Sequence, residues 1–427
     1  MKRFIFLTNR LPFPKVDGRK NILLQYIKTI KKIYPDSEII NLSFVDNEEY
    51  IVNKPSEIKE LITLTSPNFW EKIFNIIIYT LLLRKWPIQV SVYYSRKTHK
   101  RISELIHKYE PDYILIDMIR MSEYVKKDVT KFNCKIIMNF DDLLSLRYER
   151  QMKFIDFSPS IIGGYGAQLP RFIRNVLDAK LIKKILLKIE SRLVKNYENS
   201  LTDVFDYFLF TSPLEARIFK KKIKNKLSFG IPMIINKSNS IEYPRKYDQN
   251  KIVFVGKMDV PHNISGVKYF IEKIWPKIKE KNKDAKFYII GRNPVAELFE
   301  LQKRNIDIQI VGEVENLEST IMDAAVMVVP LLYGTGIKTK IIEAMALGIP
   351  VVTNSIGAEG INIKNGEEMI VEDSECNFAN AVVSLMKNQK QNDEISLKAK
   401  SYVENYFSED SVVKFWRDLI QGRGENS

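Results

Sequence analysis

Cysteine and histidine are scarce in this chain of 427 residues, which contains two cysteines and three histidines. Cys134 and Cys376 lie far apart, so neither a disulfide framework nor a cysteine-rich metal site is indicated, and a reducing, cytoplasmic compartment is expected. With so few histidines and no G-x-S-x-G elbow, the sequence does not indicate a nucleophilic triad.

Long hydrophobic runs are also lacking. The longest apolar stretch, Ile73–Leu83, is interrupted by Asn75, Tyr79 and Thr80, and it is shorter than the roughly 20 residues that span a bilayer. The first residues contain no small-residue cleavage site and are interpreted as a first strand rather than a signal peptide.

Negative charge is underrepresented in the first half of the chain only. Residues 1–245 carry 43 Lys and Arg against 26 Asp and Glu, a net charge of +17, whereas the remainder carries 23 against 26, or −3. The candidate partners of the basic residues 1–245 are nucleic acid, an anionic membrane surface and a phosphate-bearing substrate. No recognition-helix or RNA-sheet signature accompanies the charge, so a membrane or lipid phosphate is favoured and no nucleic-acid partner is expected.

One basic amphipathic segment, residues 170–198, stands out from its surroundings. It fits a helix in a membrane interface, or a helix packed on its domain with a solvated basic face, and the second interpretation is favoured.

Apolar runs of strand length alternate with helix-length segments along the whole chain, which predicts α/β architecture with parallel sheets wrapped by helices. The rhythm restarts after a polar, proline-containing stretch at 236–250. We therefore predict a first domain over 1–245, a second over 246–407, and a helix over about 408–427 that packs back on the first. The predicted strands are Arg3–Leu7, Glu38–Asn41, Tyr113–Asp117, Lys135–Phe140, Tyr207–Thr211, Lys251–Lys257, Lys286–Gly291, Ile308–Val314, Val326–Leu332 and Pro350–Asn354.

The stretch Pro330–Gly360 carries the clearest chemistry. A buried strand ends at Pro330, a turn of Gly334, Thr335 and Gly336 lets a ligand approach the backbone, and a helix is predicted from about Ile337. The free N–H groups of a helix start favour an anion such as phosphate.

Charged residues follow the turn at helical spacing. Lys338 and Lys340 place positive charge in the predicted first turn, which is unfavourable for the helix dipole and therefore indicates an anionic ligand. Glu343 follows at a distance suited to accept hydrogen bonds from a ribose.

The whole string, PLLYGTGIKTKIIEAMALGIPVVTNSIGAEG, resembles the donor-binding motif of the retaining GT-B glycosyltransferases of group 1, in a branch associated with exported polysaccharides. The resemblance implies two Rossmann-like domains facing across a cleft, with the nucleotide-sugar donor bound by the second. It also implies transfer with retention of configuration, without a protein nucleophile. The absence of a D-x-D motif argues against the metal-dependent single-domain glycosyltransferases, and we expect no metal or other cofactor.

Donor-side and acceptor-side residues can be assigned from this resemblance. The expected donor-binding residues are Gly256, Arg292, Gly312, Gly334, Thr335, Gly336 and Glu343. The expected catalytic residues are Lys257 and Lys340 at the diphosphate, and Asp117 and Asp142 near the reacting hydroxyl, with helix capping an equal alternative for the two aspartates. His262 lies in a loop expected to face the nucleotide.

Two positions depart from the pattern of the family. Thr335 stands where many members have the first glutamate of an E-x7-E pair, and Asn263 stands where a lysine is usual. We infer from the sequence that Lys340 supplies the missing positive charge.

The sequence thus predicts a cytoplasmic hexosyltransferase, peripheral on the inner face of the plasma membrane, acting on a glycan, a lipid-linked molecule or another hydroxyl acceptor. A nucleotide-sugar epimerase of the same fold and a catalytically inactive homologue docked on a membrane assembly are the alternatives.

Overall fold

A computed structural model describes residues 1–15, 18–155, 180–223, 227–231, 233–235 and 243–422. The chain divides into two compact units. The first comprises Met1–Ser145, Ile189–Ile234 and Glu409–Ser427, and the second comprises Leu146–Lys188 and Ile235–Ser408.

The first unit is built on a parallel sheet. Over the described residues its strand order is β3-β2-β1-β4-β5-β6-β7, and every pair of neighbours is parallel. The central strands β1, β4 and β5 are buried on both faces, as expected for strands covered by helices. The strands are β1 (Arg3–Thr8), β2 (Glu38–Phe44), β3 (Glu60–Leu64), β4 (Tyr113–Asp117), β5 (Lys135–Asp141), β6 (Tyr207–Phe210) and β7 (Leu227–Gly230).

Helices occupy the crossovers of this sheet. They are α1 (Gly18–Ile33), α2 (Phe69–Asn75), which continues as a π-helical segment Ile76–Leu82, α3 (Ile88–Ser91), α4 (Arg96–Tyr109), α5 (Ile119–Lys126), α6 (Leu144–Lys153), α7 (Lys180–Leu201) and α8 (Pro213–Lys220). Short 3-10 turns lie at Glu48–Asn53 and Val129–Lys131. Helix α6 begins in the first unit and continues into the second.

The second unit has its own parallel sheet of order β10-β9-β8-β11-β12-β13 over the described residues. Its strands are β8 (Asp248–Val255), β9 (Lys286–Ile290), β10 (Ile308–Gly312), β11 (Ala324–Val329), β12 (Val351–Thr353) and β13 (Ile370–Val371). The strand order reverses between β8 and β11, and ligands of open α/β sheets bind beyond the carboxyl ends of strands at such a point.

The helices of the second part of the chain are α9 (Pro261–Tyr269), α10 (Trp275–Lys281), α11 (Ala296–Lys303), α12 (Leu317–Ile321), α13 (Thr339–Ala346), α14 (Ser355–Ala358), α15 (Glu375–Lys387), α16 (Gln389–Tyr406) and α17 (Glu409–Ile420). A π-helical turn, Phe270–Ile274, joins α9 to α10.

The last helix, α17, belongs to the first unit. The Trp416 ring lies edge-on to Tyr26 of α1, with 5.0 Å between the ring centroids, and the Tyr113 hydroxyl donates to the Ile420 carbonyl at 3.2 Å. The middle segment of the first unit, Ile189–Ile234, ends before the predicted boundary at residue 245. Arg245 is already part of the second unit, because its guanidinium is buried and donates to Asn392 Oδ1 at 2.6 Å.

Helix α7 buries only part of its apolar residues. Leu187, Leu193 and Val194 are buried, whereas Ile185 and Ile189 are half exposed. Residues 170–179 of the predicted amphipathic segment lie outside the described residues. Within the described part of the chain, no helix is both long and apolar enough to cross a bilayer.

Candidate functional site

Three glycines bring the loops after β8, β9 and β10 together. The Gly291 N–H donates to the Gly312 carbonyl at 2.7 Å, and the Gly256 N–H donates to the Ile290 carbonyl at 3.0 Å. Gly291 has a φ of +145°, and a Cβ there would lie 1.9 Å from the Gly256 carbonyl oxygen. A side chain at Gly291 would therefore separate these loops, which lie at the carboxyl edge of the sheet where the sequence predicts the ligand.

The predicted glycine turn follows β11. Gly334 and Gly336 have φ values of +152° and +71°, which residues with a side chain rarely adopt. The Lys338 ammonium is buried and donates to the carbonyls of Thr335, at 3.0 Å, and Gly336, at 2.6 Å. Helix α13 consequently begins at Thr339 rather than at Ile337, because Lys338 holds the turn closed instead of entering the first helical turn.

Lys340 occupies the centre of this edge. Its Nζ donates to Asn263 Oδ1 at 2.6 Å and lies 4.3 Å from the centroid of the Phe254 ring. A Cβ on Gly256 would lie 2.6 Å from the same Nζ, so the glycine makes room for the ammonium. Burial, assisted by the charge of Lys338 and opposed by Glu343, lowers the pKa of Lys340 to about 7.

Asn263 links two of the elements that carry predicted site residues. Its Nδ2 donates to the Lys257 carbonyl at 2.9 Å while its Oδ1 accepts from Lys340. Asn263 therefore holds the Lys340 ammonium next to the loop that carries Lys257.

Glu343 lies on α13 three residues after Lys340, so both side chains extend from the same face of the helix. Burial raises the pKa of its carboxyl, and the charge of Lys340 opposes that rise. A half-buried carboxylate near the ammonium of Lys340 is suited to accept hydrogen bonds from paired hydroxyls.

Lys257 and Arg292 extend from the neighbouring loops and are more exposed. The Lys257 Nζ lies 3.4 Å from Asp259 Oδ2, and the Arg292 Nε lies 3.5 Å from Glu313 Oε1. Their side chains are 51% and 40% accessible, so they form the rim of the site and not its buried centre.

Two arginines of α6 contact the glycine turn, and sequence reasoning missed both. Arg150 donates to the Gly334 carbonyl at 2.8 Å and makes a two-pronged ion pair with Glu359, in which Nη2 lies 2.7 Å from Oε1. Arg147 Nε donates to Thr335 Oγ1 at 3.1 Å. Their spacing of three residues on one helix face was the available signal, but the partners lie more than 180 residues away.

The imidazole of His262 lies within this cationic group. Burial, together with the charges of Lys340, Arg147 and Lys338, lowers its pKa well below the ordinary value. His262 is therefore neutral at physiological pH.

In the first unit, Asp117 lies at the end of β4 and is fully buried. Its Oδ1 pairs with Arg19 of α1, and the same guanidinium lies 2.9 Å from Asp141 Oδ1. Burial alone would lower the pKa of Arg19, but the two carboxylates outweigh it and raise that pKa. Asp141 and Met118 have φ values of +69° and +65°, so the backbone is strained at both strand ends that meet Arg19.

Asp142 is also buried, in a loop held by two glutamates. Glu215 Oε2 accepts from the Leu143 N–H at 2.7 Å, and Glu198 Oε2 accepts from Ser145 Oγ at 2.5 Å. Burial raises the pKa of Glu198 to about 7, with Asp142 contributing and the Ser145 hydrogen bonds opposing. The loop is followed by α6, the helix that carries Arg147 and Arg150.

Residues 249–388 match the family model described as Glycosyl transferases group 1. A related sequence from Klebsiella pneumoniae, described as an uncharacterized 44.6 kDa protein in the cps region, is 29% identical over 243 residues. That match covers 53% of this chain and 60% of the Klebsiella protein, so the chain spans about three fifths of the relative's length.

Solved structures resemble the whole chain. HepE from Anabaena, crystallised with UDP and glucose, has a TM-score of 0.64 at 11% identity, covering 98% of this chain and 99% of HepE. Sucrose-phosphate synthase from Thermosynechococcus elongatus has a TM-score of 0.64 at 14% identity, covering 99% and 100%. A glycosyltransferase from Rickettsia africae has a TM-score of 0.63 at 14% identity and covers both chains completely. The fold is GT-B. The predicted pair of parallel-sheet α/β domains is confirmed.

Proposed function

We propose that this GT-B protein is a glycosyltransferase that moves a hexosyl group from a nucleotide-sugar donor to a hydroxyl acceptor with retention of configuration. The observation that carries the proposal is the position of Lys340, hydrogen-bonded to Asn263 beside Gly256 and one residue into the helix that follows the glycine turn. The match of residues 249–388 to the group 1 family supports it, as does the structure of HepE with UDP and glucose.

The donor diphosphate binds at the start of α13 in this proposal. The first N–H groups of the helix and the ammonium of Lys340 stabilise the negative charge that grows on the diphosphate as the sugar–oxygen bond breaks. Lys257 and Arg292 add positive charge at the rim, and no metal ion is needed for the leaving group. Glu343 accepts hydrogen bonds from the ribose, and Gly312 leaves room for the nucleoside on the neighbouring loop.

The sugar extends from the diphosphate toward Thr335, whose hydroxyl accepts from Arg147. The acceptor hydroxyl attacks on the face that the diphosphate leaves, so the configuration is retained without a protein nucleophile. We place Asp142 near that hydroxyl. Asp117 is paired with Arg19, and its proposed part is to fix the loop at the end of β4.

The acceptor in this proposal is a growing glycan or a lipid-linked molecule of an exported polysaccharide. The Klebsiella relative encoded in a cps region supports that choice. The protein would then work in the cytoplasm, at the inner face of the plasma membrane, with no nucleic-acid partner.

A thermal-shift screen of UDP, GDP and ADP, followed by their sugars, tests donor binding, because a ligand that binds the native state stabilises it by mass action. We expect a nucleoside diphosphate to raise the melting temperature and one nucleotide sugar to support transfer to acceptor lipids. No stabilisation by any nucleotide would contradict the proposal.

The two alternatives predict different products. An epimerase would convert the free nucleotide sugar to its epimer without acceptor. An inactive homologue would bind the nucleotide sugar, but it would not hydrolyse it even slowly when no acceptor is present. Chromatography of the nucleotide-sugar pool after incubation with the protein distinguishes these outcomes from transfer.

A further inference from the structure

The surface of the first unit carries a row of exposed apolar side chains, which we call the apolar strip. It runs along α2 and the π-helical segment that continues it. Exposed fractions in the strip run from 45% to 75%. Its members are Phe69, Trp70, Phe74, Ile77, Leu81, Leu82 and Leu83.

The opposite face of the same helix is polar where it meets the protein. Asn75 is buried and donates through Nδ2 to the carbonyls of Ser91, at 3.0 Å, and Tyr94, at 2.7 Å. Thr80 is buried too, with its hydroxyl 2.7 Å from Ser91 Oγ. A helix on a water-exposed surface normally buries its apolar face and exposes its polar one. This helix exposes its largest apolar side chains and buries two polar ones, so its outer face is suited to an apolar environment.

Hydrogen bonds and ring packing fix both ends of the helical segment that carries the strip. Asn68 and Glu71 form a reciprocal capping box at the start of α2. At the other end the Tyr79 ring stacks on buried Trp86, with 4.0 Å between centroids, and the Lys85 N–H donates to the Tyr79 carbonyl at 2.8 Å. A row of seven exposed apolar side chains on a capped helix marks an interaction site.

Charge around the strip indicates which kind of partner covers it. Residues 69–85 contain Lys72, Arg84 and Lys85 against a single acid, Glu71, whose carboxylate accepts from the Asn68 N–H and from Ser95 Oγ. Arg84 and Lys85 are exposed directly beside Leu81–Leu83. The first 245 residues carry a net charge of +17, so pairing of two copies through this face would bring like charges together.

We propose that the apolar strip inserts into the interface of an anionic lipid membrane, with Trp70 and Phe74 entering the acyl boundary and Arg84 and Lys85 contacting lipid phosphates. An exposed aromatic and leucine face flanked by basic residues is the composition that binds such interfaces. This proposal rests on the proposed location at the membrane and adds the surface that makes the contact. It does not depend on the chemistry of the donor site.

Two exposed isoleucines make α7 the weaker candidate. Ile185 is 50% and Ile189 42% exposed, but Leu187, Leu193 and Val194 on the same helix are buried. Helix α7 therefore packs mainly on the protein, whereas the strip exposes its largest side chains.

Tryptophan fluorescence reports on the strip directly. Trp70 is 75% exposed, while Trp86, Trp275 and Trp416 are at most 3% exposed. Titration of the full chain with phosphatidylcholine vesicles containing one quarter phosphatidylglycerol should shift the emission to the blue. Phosphatidylcholine alone should bind more weakly, by roughly fivefold for each basic residue that contacts phosphate.

Variants separate the strip from a general effect of charge. Trp70→Ser combined with Phe74→Ser should weaken cosedimentation with anionic vesicles by at least about tenfold. Arg84→Gln with Lys85→Gln should weaken it while leaving binding to neutral vesicles unchanged. The matched control is Ile306→Ser, which removes an apolar side chain that is 93% exposed on the second unit and should have no effect.

Several results would overturn the proposal. These are the absence of a blue shift with anionic vesicles, equal vesicle binding by the Trp70→Ser/Phe74→Ser variant, and a concentration-dependent dimer that this variant abolishes. UDP binding by each variant, measured by thermal shift, verifies folding and separates this test from that of the donor site. Failure of the vesicle assay with intact UDP binding would refute the strip alone.

Discussion

Replacing Lys340 with methionine removes the ammonium and keeps most of the side chain's length. The ammonium donates to Asn263 Oδ1 at 2.6 Å, close to the start of α13. In the proposed site it also donates a charge-assisted hydrogen bond to the donor diphosphate. Such a bond contributes about 1.5–3 kcal/mol, or about 10- to 100-fold in affinity. We expect Lys340→Met to weaken UDP binding by that factor and to leave uridine binding nearly unchanged. Turnover should also fall, because the leaving diphosphate loses a cation.

The pH dependence of this effect follows from the lowered pKa of Lys340. Without ligand that pKa is about 7, so the amine is partly neutral at pH 7 and mostly neutral at pH 9. A bound diphosphate stabilises the protonated form and raises the pKa, so binding takes up a proton. UDP affinity should therefore be highest below pH 7 and fall as the pH rises, by up to about tenfold per pH unit.

Isothermal titration in two buffers of different ionisation enthalpy measures both the affinity and the proton uptake. The wild-type protein should bind UDP with proton uptake at pH 8, and Lys340→Met should bind without it. Lys303→Met is the control, because Lys303 is an exposed lysine of the same unit that pairs with Glu300. UDP affinity of Lys340→Met within twofold of the wild-type value, with the same fall between pH 7 and 9, would refute this reasoning.

Three further substitutions test other parts of the two units. Glu343→Ala should weaken uridine and UDP by the same factor, about tenfold or more in paired titrations, because it removes a contact to the ribose; an effect on UDP alone would contradict that role. Arg150→Ala frees the Gly334 carbonyl and Glu359, and titrations should show a larger loss for UDP than for uridine. Arg19→Met leaves the buried Asp117 carboxylate without its cation, and urea unfolding at pH 7.5 should show a loss of about 3–5 kcal/mol that shrinks at pH 5. A loss that is independent of pH would mean that packing, and not charge, dominates there.

Sequence periodicity predicted ten of the thirteen strands because fully buried parallel strands are continuous apolar runs. It missed β3, Glu60–Leu64, whose residues are mostly half exposed at the edge of the sheet, and the short strands β7, Leu227–Gly230, and β13, Ile370–Val371, which have four and two residues. Edge position and shortness both weaken the apolar signal on which the prediction depends.

The donor loop was predictable because its glycines and charged residues are close in sequence. Arg147, Arg150 and Arg19 were not, because each acts on partners brought near by the fold. The sequence likewise shows that residues 73–83 are largely apolar, but not which side chains are exposed. The exposure of the apolar strip and the buried hydrogen bonds of Asn75 and Thr80 are visible in the structure alone.

The bond between Asn263 and Lys340 also restricts how this site can change during evolution. If Asn263 alone became lysine, a second ammonium would lie against that of Lys340, which Asn263 now binds at 2.6 Å. If Lys340 alone were lost, the start of α13 would lack this cation. Either single step passes through an impaired intermediate, so the two positions are expected to depend on each other. The double variant Asn263→Lys/Lys340→Asn should consequently retain more diphosphate affinity than the product of its single variants predicts.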